Sequence, residues 1–289
     1  MANILAIGIA TIDWVQIVDA YPAVDSEVRA NGQRLWRGGN ATNTLVVLSQ
    51  QGHSCSWLGT LADDEFAKLI LEDLERFNIN ISHVVRVPDS VSPSSHILLS
   101  STTGERTIVH YRDLPELNFS DINKFDFSVY DWLHVEGRNV AETLKILQQV
   151  RSHFPNIRIS LELEKPRDDI ECLFDYVDIL LCGKNFAQSQ GYDTAESFLK
   201  SMQARLQGTH ELVCAWGDKG AYVMTGENTC VHVVASQQAR VVDSRAAGDV
   251  FNAAYIDARL QGLPVVESTE AACRLAGRKC SQLGLDGLV

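Results

Sequence analysis

The sequence predicts an α/β fold built on a mostly parallel sheet that carries helices on both faces. Short apolar runs alternate with amphipathic segments over most of the 289 residues, an order typical of a parallel sheet whose strands are connected by helices. The strand-like runs are almost continuously apolar, as expected for strands buried on both faces. Two stretches rich in short β-like pieces interrupt this order, which predicts a small additional sheet.

The elements follow one another in a simple order. Apolar runs predict strands at residues 4–9, 54–59, 132–137, 157–163, 178–183, 211–217 and 239–243. Apolar residues at helical spacing predict helices at about 40–50, 63–76, 140–153 and 249–262, with one further helix near the end of the chain. Gly52 and Gly262 mark two of the helix ends, where glycine is common. We therefore expect the sheet to lie between two layers of helices.

Residues 13–37 and 86–112 lack the alternation of strand and helix. In the second stretch, Thr103 and Gly104 predict a hairpin turn between two strands. Strands inserted into an α/β domain without helices would form a small projecting sheet, which could cover a pocket as a lid. Since no proline-rich linker, low-complexity segment or repeat divides the chain, we expect a single domain over residues 1–289.

Charge and composition exclude several classes of function. The formal net charge is −12 and no run of Lys and Arg is long enough to form a basic stripe, so binding to nucleic acid or to an anionic membrane is not expected. The first apolar segment has no basic region and contains Asp13, unlike a signal peptide or a membrane span. The seven cysteines form no C-x-x-C pair and are expected to be reduced packing residues. These features predict a cytoplasmic protein.

The stretch VVDSRAAGDVFNAAYI, residues 241–256, places small residues and one acid between an apolar strand and an apolar helix. In the first turn of a helix the backbone N–H groups lack partners, and the helix dipole adds partial positive charge. Small side chains at Ala246, Ala247 and Gly248 would let a phosphate reach those N–H groups. Asp249 would lie in this first turn, where an acid can also serve simply as a helix cap.

A second motif, WRGGNATNTLVVLSQQG at residues 36–52, joins a glycine pair to the first turn of a predicted helix. Asn40 and Asn43 are three residues apart and therefore share one face of that helix. Two amides on one face can donate to and accept from neighbouring hydroxyls, while Gly39 would let a ligand approach the backbone. This chemistry suits a sugar. A plain glycine turn capped by Asn40 would leave Asn43 unexplained.

Together, GGNATN near residue 40 and DSRAAGD at residues 243–249 resemble the two signatures of the ribokinase-like (PfkB) family of sugar kinases. The resemblance continues through GERTIVHY, HVEGRN, LELEKPR and the C-terminal AGRKCSQLGLDGLV. It is nearest to the members that phosphorylate the 1-hydroxyl of fructose. It implies a ribokinase-like three-layer α/β/α fold and an ATP-dependent transfer of phosphate to a sugar hydroxyl.

The resemblance also implies roles for individual residues. Asp249 would be the catalytic base, and the amides of residues 246–249 would stabilise the charge on the transferred phosphate. Arg106, after the hairpin turn of the lid, would reach that phosphate; otherwise it is a solvated lid residue. Sugar hydroxyls would be bound by Asp13, Gly39, Asn40 and Asn43, and adenosine would lie against Gly217, Gly220, Phe251 and Cys273.

Two positions depart from the family pattern. Ala246 replaces the usual glycine, and a positive φ there would cost about 1 to 2 kcal/mol. The acidic residue that many members place near the metal is Gln188 here, following Asn185. Since Gln is neutral, Mg²⁺ would be held mainly by the ATP phosphates and water. The family pattern also leaves room for K⁺ near Asp243.

A projecting lid raises the question of what covers its outer face. If the two lid segments form one sheet, Ile17, Val28, Ile97 and Leu99 are expected to be exposed there. Apolar patches and open edges are usually covered by a partner, so we expect a homodimer through the lids, as the resemblance also implies. Asp25 would then reach the sugar site of the other subunit; alternatively, it caps a turn.

The leading interpretation is an enzyme that uses ATP and Mg²⁺ to convert fructose to fructose 1-phosphate. The same fold could phosphorylate another small sugar, a sugar acid or a nucleoside, because the sequence does not place the lid side chains that read the hydroxyls. A third interpretation is a sugar-binding regulator with little turnover. Ala246 and Gln188 favour this third interpretation, whereas Asp249, Gly248 and Arg106 oppose it.

Overall fold

The computed structural model describes residues 1–206, 210–226, 228–236 and 241–289. The strands are β1 (Asn3–Ile7), β2 (Thr11–Val18), β3 (Gly32–Gly38), β4 (Ser54–Leu58), β5 (Thr60–Ala62), β6 (Val85–Val87), β7 (Ser94–Ser100), β8 (Arg106–Tyr111), β9 (Trp132–Glu136), β10 (Arg158–Leu163), β11 (Ile179–Gly183), β12 (Glu211–Ala215), β13 (Ala221–Thr225) and β14 (Thr229–Val233). The helices are α1 (Asn40–Gln50), α2 (Glu65–Arg76), α3 (Phe119–Ile122), α4 (Val140–His153), α5 (Lys184–Ser189), α6 (Ala195–Arg205), α7 (Ala247–Leu260) and α8 (Val265–Cys280), with 3₁₀ turns at Ile170–Tyr176 and Gly217–Lys219.

The main sheet has eight strands in the order β14-β13-β12-β11-β10-β9-β1-β4. Neighbouring strands from β12 to β4 run parallel, while β13 and β14 add an antiparallel edge. Every residue of β9 and all but the first residue of β1 are buried. Burial on both faces explains why these strands appear in the sequence as nearly continuous apolar runs.

Two apolar layers enclose this sheet and produce the expected three-layer α/β/α arrangement. One layer contains α1, α2, α7 and α8, with Leu45 and Ile70 among its buried side chains. The opposite layer contains α4 and α6, with Ile146 among its buried side chains. The helices predicted at residues 40–50 and 140–153 are confirmed as α1 and α4. Within the described residues, none of the helices has the length and apolar content needed to cross a bilayer.

The carboxyl ends of the parallel strands define where a ligand would lie, because ligands of open α/β sheets bind outside these ends. Here β9 and β10 end at Glu136 and Leu163, and α1 and α7 begin near the same edge. The two helices pack side by side, with the hydroxyl of Thr44 donating to the carbonyl oxygen of Asp249 at 3.3 Å. Both predicted motifs therefore lie at the ligand-binding edge of the sheet.

The small separate sheet predicted from residues 13–37 and 86–112 is present as four strands in the order β3-β2-β7-β8. The turn between β7 and β8 contains Gly104 with φ +72°, a conformation that favours glycine. In β2, Asp13 lies beside Ser95 of β7. Both side chains lie on the face that turns toward the main sheet.

The expectation that apolar lid residues are exposed was wrong for most of the residues named. Ile97 and Leu99 are only 2% and 5% exposed, and they pack with Val15 and the partly buried Ile17. Side chains two residues apart on a strand share one face, and Ile97 shares the inner face of the lid rather than the outer one. Val28 is 47% exposed, but it lies in the loop between β2 and β3 and not on the sheet.

The segment before α7 also differs from the prediction of a strand at residues 239–243. Residues 239 and 240 lie outside the described residues, and residues 241–243 form no strand. The amides of Val242 and Asp243 instead donate to the carbonyl oxygen of Cys280 at 2.7 and 3.2 Å. This segment is therefore held by the end of α8.

Candidate active site

A cavity of about 500 Å³ lies between the carboxyl edge of the main sheet and the inner face of the lid. Its size is within the range of small-molecule sites. Nine of the residues predicted from the sequence line it, namely Asp13, Gly39, Asn40, Asn43, Arg106, Ala246, Ala247, Gly248 and Asp249. The two sequence motifs, which are far apart along the chain, thus meet at one site.

Five of the predicted residues do not line this cavity. Asp25 is exposed in the loop between β2 and β3. Phe251 and Cys273 are buried in the apolar layer that contains α7 and α8. Gly217 begins the 3₁₀ turn after β12, and Gly220 follows that turn. A Cβ atom at Gly220 would lie 2.1 Å from a carbonyl oxygen of β14, so close backbone packing already requires glycine there. The contact of Gly217, Gly220, Phe251 and Cys273 with adenosine stays a prediction, as does the role of Asp25 at a sugar site.

Asp249 lies buried in the first turn of α7. Its Oδ2 accepts a hydrogen bond from Nδ2 of Asn43 at 2.7 Å, between residues that are 206 positions apart. Burial raises the pKa of Asp249 to about 8, although the hydrogen bond from Asn43 lowers it. A carboxyl group whose pKa lies near neutral pH can accept and release a proton under working conditions, as a general base must.

Arg37, which the sequence analysis did not identify, fixes the direction of the Asn43 amide. Its Nη1 donates to Oδ1 of Asn43 and to Oγ1 of Thr42, both at 2.8 Å, and its Nε donates to Oδ2 of Asp73 at 2.7 Å. Because a guanidinium offers only donors, the oxygen of Asn43 faces Arg37. The NH₂ group of Asn43 therefore faces Asp249.

Glu136 is a further carboxylate that the sequence analysis missed. It ends β9, and its Oε1 accepts hydrogen bonds from the amides of Ala41 at 2.7 Å and Ile9 at 3.2 Å. It thereby satisfies a free N–H group at the start of α1, where negative charge is favoured. Burial raises the pKa of Glu136 to about 6.

Glu162 lies beside Glu136 in the register of β10 and β9. Its Oε1 accepts hydrogen bonds from Nδ2 of Asn40 at 3.2 Å and from Nδ2 of Asn252 at 3.1 Å. Its Oε2 is buried and has no hydrogen-bond partner among the described residues. Burial, followed by the charge of Asp249, raises the pKa of Glu162. A sequence feature could have identified Glu136 and Glu162 as site residues, since each is an acid at the carboxyl end of an apolar strand, in HVEG and LELEKPR.

Asp13 faces the cavity from the lid, and its Oδ1 accepts a hydrogen bond from Oγ1 of Thr11 at 3.2 Å. Burial raises the pKa of Asp13, and the charge of Arg245 opposes this shift. A Cβ atom at Gly38 would lie 2.6 Å from Oδ2 of Asp13, and one at Gly39, where φ is +109°, would lie 2.1 Å from a backbone oxygen. The glycine pair is therefore needed to bring the start of α1 close to Asp13.

The loop before α7 presents donors to the cavity. The amides of Gly248 and Asp249 have no hydrogen-bond acceptor among the described residues, as expected in the first turn of a helix. Arg106 donates through Nη1 to Oγ of Ser244 at 2.9 Å, which connects the lid to this loop. Ala246 has φ +57°, so it adopts the left-handed conformation considered from the sequence. Free amides beside a guanidinium suit an anion.

Replacing Ala246 with glycine should raise the free energy of unfolding by about 1 kcal/mol, because glycine removes the steric cost of a positive φ. Urea unfolding of parent and variant measures this change. Ala247→Gly is the matched control, since Ala247 begins α7 and glycine in a helix lowers the free energy of unfolding by about 0.5 to 1 kcal/mol. Equal losses in both variants would contradict the assigned strain at Ala246.

Basic side chains offset the carboxylates around the cavity. Arg112 and Arg138 both donate to Oε1 of Glu116, at 2.7 and 2.8 Å. Lys165 and Arg167 lie on the same wall. Although the whole chain is acidic, this wall offers positive charge to a polyanionic ligand.

Comparison with known proteins agrees with this geometry. The chain matches the pfkB family carbohydrate kinases over residues 1–287. It is 34% identical to the ketohexokinase of Mus musculus over 294 residues, which cover 99% of each chain. It is 24% identical to the ribokinase of Bacillus subtilis, with 97% of this chain and 92% of the relative covered.

Solved structures show the same fold. Ribokinase from Giardia lamblia superposes with a TM-score of 0.84 at 16% identity, covering 100% of this chain and 95% of that one. Ribokinase from Arabidopsis thaliana, complexed with ribose and ATP, superposes with a TM-score of 0.78 at 18% identity, covering 98% and 94%. The expected ribokinase-like architecture is confirmed. The match over nearly the whole chain shows that this protein belongs to the pfkB family of carbohydrate kinases, which transfer phosphate to a hydroxyl group.

Proposed function

We propose that this kinase transfers the γ-phosphate of ATP to the 1-hydroxyl of fructose and forms fructose 1-phosphate. The likeness to the mouse ketohexokinase over the full length of both chains supports this substrate. The observation that carries the reaction type is the position of Asp249, a buried carboxylate that faces the cavity beside free amides at the start of α7.

Asp249 is the base in this proposal. Its carboxylate takes the proton of the attacking hydroxyl while the hydroxyl oxygen bonds to the γ-phosphorus. The bond from that phosphorus to the bridging oxygen breaks, and ADP leaves with the electron pair. The amides of Gly248 and Asp249, together with Arg106, would stabilise the negative charge on the transferred group.

The sugar would lie against Asp13, Gly39, Asn40 and Asn43. Both asparagines already donate hydrogen bonds to carboxylates, Asn43 to Asp249 and Asn40 to Glu162. Their amides are thus fixed before a ligand arrives, and such preorganisation reduces the entropy lost on binding. Asp13 would add an acceptor for a sugar hydroxyl.

The residues of the cavity fit the Mg²⁺ that accompanies ATP. Carboxylate oxygens are ligands that Mg²⁺ prefers, and Oε2 of Glu162 has no partner within the described residues. No cluster of three or more acidic, His or Cys side chains in the described ranges could hold a metal by itself, so ATP phosphates and water would supply most ligands. Asn185 and Gln188 lie in α5, away from the cavity lining. When bound, Mg²⁺ would neutralise charge on the phosphates.

A coupled assay of ADP release tests the proposal. In the presence of ATP and Mg²⁺, kcat/KM for fructose should exceed the values for ribose, deoxy-sugar acids and adenosine by at least about tenfold. A larger value for one of the other acceptors would overturn fructose as the substrate. ADP release that no sugar accelerates would instead support the sugar-binding regulator.

We also propose that two copies pair through the outer faces of their lids, in the cytoplasm. Leu35 and Val109 share a face of the lid sheet with His96 and with Trp14, which packs against Phe66 of α2. The exposed residues of this face include Leu35, Val109 and Tyr111, at 38%, 67% and 57%. These outward side chains replace those expected from the sequence. An apolar face of this kind is usually covered by a partner.

Asp25 should act across that dimer. It does not line the cavity of its own subunit. In the proposed dimer, Asp25 would therefore contact the sugar bound in the cavity of the partner subunit. Sedimentation should show a dimer at micromolar concentration, and mixing Asp25→Ala with Asp249→Asn should restore part of the activity through hybrid dimers. A fully active monomer would contradict the dimer, and a dimer without complementation would remove Asp25 from the sugar site.

A further inference from the structure

A lysine is buried behind residues 243–249, which are proposed to bind phosphate and are called the phosphate-binding loop below. Lys279 lies in the last turn of α8 and its side chain is 1% exposed. Its Nζ donates to the carbonyl oxygen of Asp243 at 2.9 Å and to Oδ2 of Asp243 at 3.1 Å, and it reaches the carbonyl oxygen of Gln282 at 3.5 Å. Burying an ammonium group is costly unless oxygens replace its water. Here three oxygens do so.

The same aspartate is held from its other side. Oδ1 of Asp243 accepts from the amide and Nε of Arg245 at 3.0 and 2.9 Å, and Oδ2 accepts from Nη2 of Arg245 at 2.9 Å. The backbone amide of Asp243 donates to the carbonyl oxygen of Cys280 at 3.2 Å. The segment that leads into Ala246 is therefore fixed to the end of α8.

The K⁺ considered near Asp243 does not fit this arrangement. Backbone carbonyls, here joined by a carboxylate, are oxygens that can replace the hydration shell of K⁺. Nζ of Lys279 already lies at hydrogen-bond distance from these oxygens. A K⁺ ion in the same place could not be coordinated by these oxygens, and the ammonium group of Lys279 would repel it.

We propose that the ammonium of Lys279 replaces a bound monovalent cation, holding Asp243 so that the phosphate-binding loop is positioned without K⁺. This inference rests on the proposed function, which gives that loop its role. Lys279 is a positioning residue, since it does not line the large cavity and acts through Asp243.

The loop needs such support because Ala246 has a positive φ. A residue in this conformation persists only where its surroundings enforce it. Ser244 and Arg245 alone separate Asp243 from Ala246, and Gly248 follows two residues later. A displacement of Asp243 would therefore move the amides that are proposed to bind phosphate.

Two substitutions separate charge from volume. Lys279→Ala removes the ammonium and leaves room for an ion, whereas Lys279→Met removes the charge and fills the space. Lys200→Ala is the surface control, because Lys200 pairs with Glu196 on α6 and is half exposed. Each protein is assayed in about 0.1 M tetramethylammonium, K⁺ or NH₄⁺.

The parent and Lys200→Ala should change kcat by less than about twofold between these buffers. Lys279→Ala should lower kcat by about 10- to 100-fold in tetramethylammonium, the usual range when a residue that orients a site through another group is removed. K⁺ or NH₄⁺ should restore at least about tenfold of its kcat, with a smaller effect on the KM for sugar. The kcat of Lys279→Met should not be restored by K⁺ or NH₄⁺.

Thermal unfolding gives a readout that does not depend on turnover. K⁺ should raise the Tm of Lys279→Ala by at least about 2 °C relative to tetramethylammonium, and should not raise the Tm of the parent or of Lys279→Met. If these Tm changes are observed but the parent phosphorylates no sugar, the replaced cation site would be supported. Only the proposed reaction would then be overturned.

Strong activation of the parent by K⁺, about tenfold or more, would overturn the inference. A Lys279→Ala protein whose Tm and kcat both ignore K⁺ and NH₄⁺ would overturn it as well. If Lys279→Ala folds in K⁺ but not in tetramethylammonium, the inference is supported. If it folds in neither buffer, the change in the kcat of the parent on adding K⁺ decides between the two outcomes.

Discussion

Asp249→Asn should lower the rate of phosphoryl transfer by about 10² to 10⁴ while sugar binding is retained. The amide keeps the shape of the carboxylate and removes its ability to take the proton of the attacking hydroxyl. A single-turnover measurement with saturating ATP and fructose isolates this step from product release. Transfer within about threefold of the parent rate would mean that Asp249 is not the base.

The same variant carries a prediction about stability that separates lost chemistry from lost structure. Because burial raises the pKa of Asp249 from 3.8 to about 8, the folded protein binds a proton more tightly than the unfolded chain. The contribution of Asp249 to stability is therefore full below its unfolded pKa and is lost as the pH rises through the folded pKa. Asp249→Asn should gain stability relative to the parent as the pH rises from about 4 to about 8. A relative loss over this range would contradict the assigned environment.

Asn43→Ala should weaken fructose binding and also move the pH dependence of catalysis. A sugar hydroxyl left without its partner costs about 1 to 3 kcal/mol, whereas binding of a non-hydrolysable ATP analogue should hardly change. The hydrogen bond from Asn43 lowers the pKa of Asp249, so its loss should shift the acidic limb of kcat/KM to higher pH. Calorimetry and a pH profile measure the two effects.

Asn40→Ala is the matched control for this prediction. Asn40 lines the same cavity but donates to Glu162 and Glu164 rather than to Asp249. It should weaken fructose binding without the same shift of the acidic limb. Equal losses of affinity for sugar and for the ATP analogue in both variants would contradict the placement of the sugar.

The sequence predicted the parts of this protein that depend on local pattern. The bounds of α1 and the turn at Gly104 follow from helical spacing and turn chemistry. The meeting of Asn43 with Asp249 in one site was implied by the resemblance to the sugar-kinase family, and both residues line the cavity. The positive φ of Ala246 was considered because this alanine stands where the family pattern has glycine.

Features that depend on packing between distant elements could not be predicted in this way. The hydrogen bond from Asn43 to Asp249 requires α1 to lie against α7, and the roles of Arg37 and Lys279 require partners from other elements. Ile97 was placed on the wrong face because spacing shows which residues share a face, and does not show which face is covered.

The proposed reaction joins phosphate to the 1-hydroxyl of a ketohexose in this cavity. The direct measurement is ¹³C NMR of the product formed from ATP, Mg²⁺ and fructose labelled with ¹³C at C1. With the parent protein, the C1 resonance should split into a doublet through coupling to phosphorus. With Asp249→Asn, the splitting should not form on the same timescale. An unsplit C1 resonance in a reaction that consumes ATP and fructose would contradict the proposed reaction.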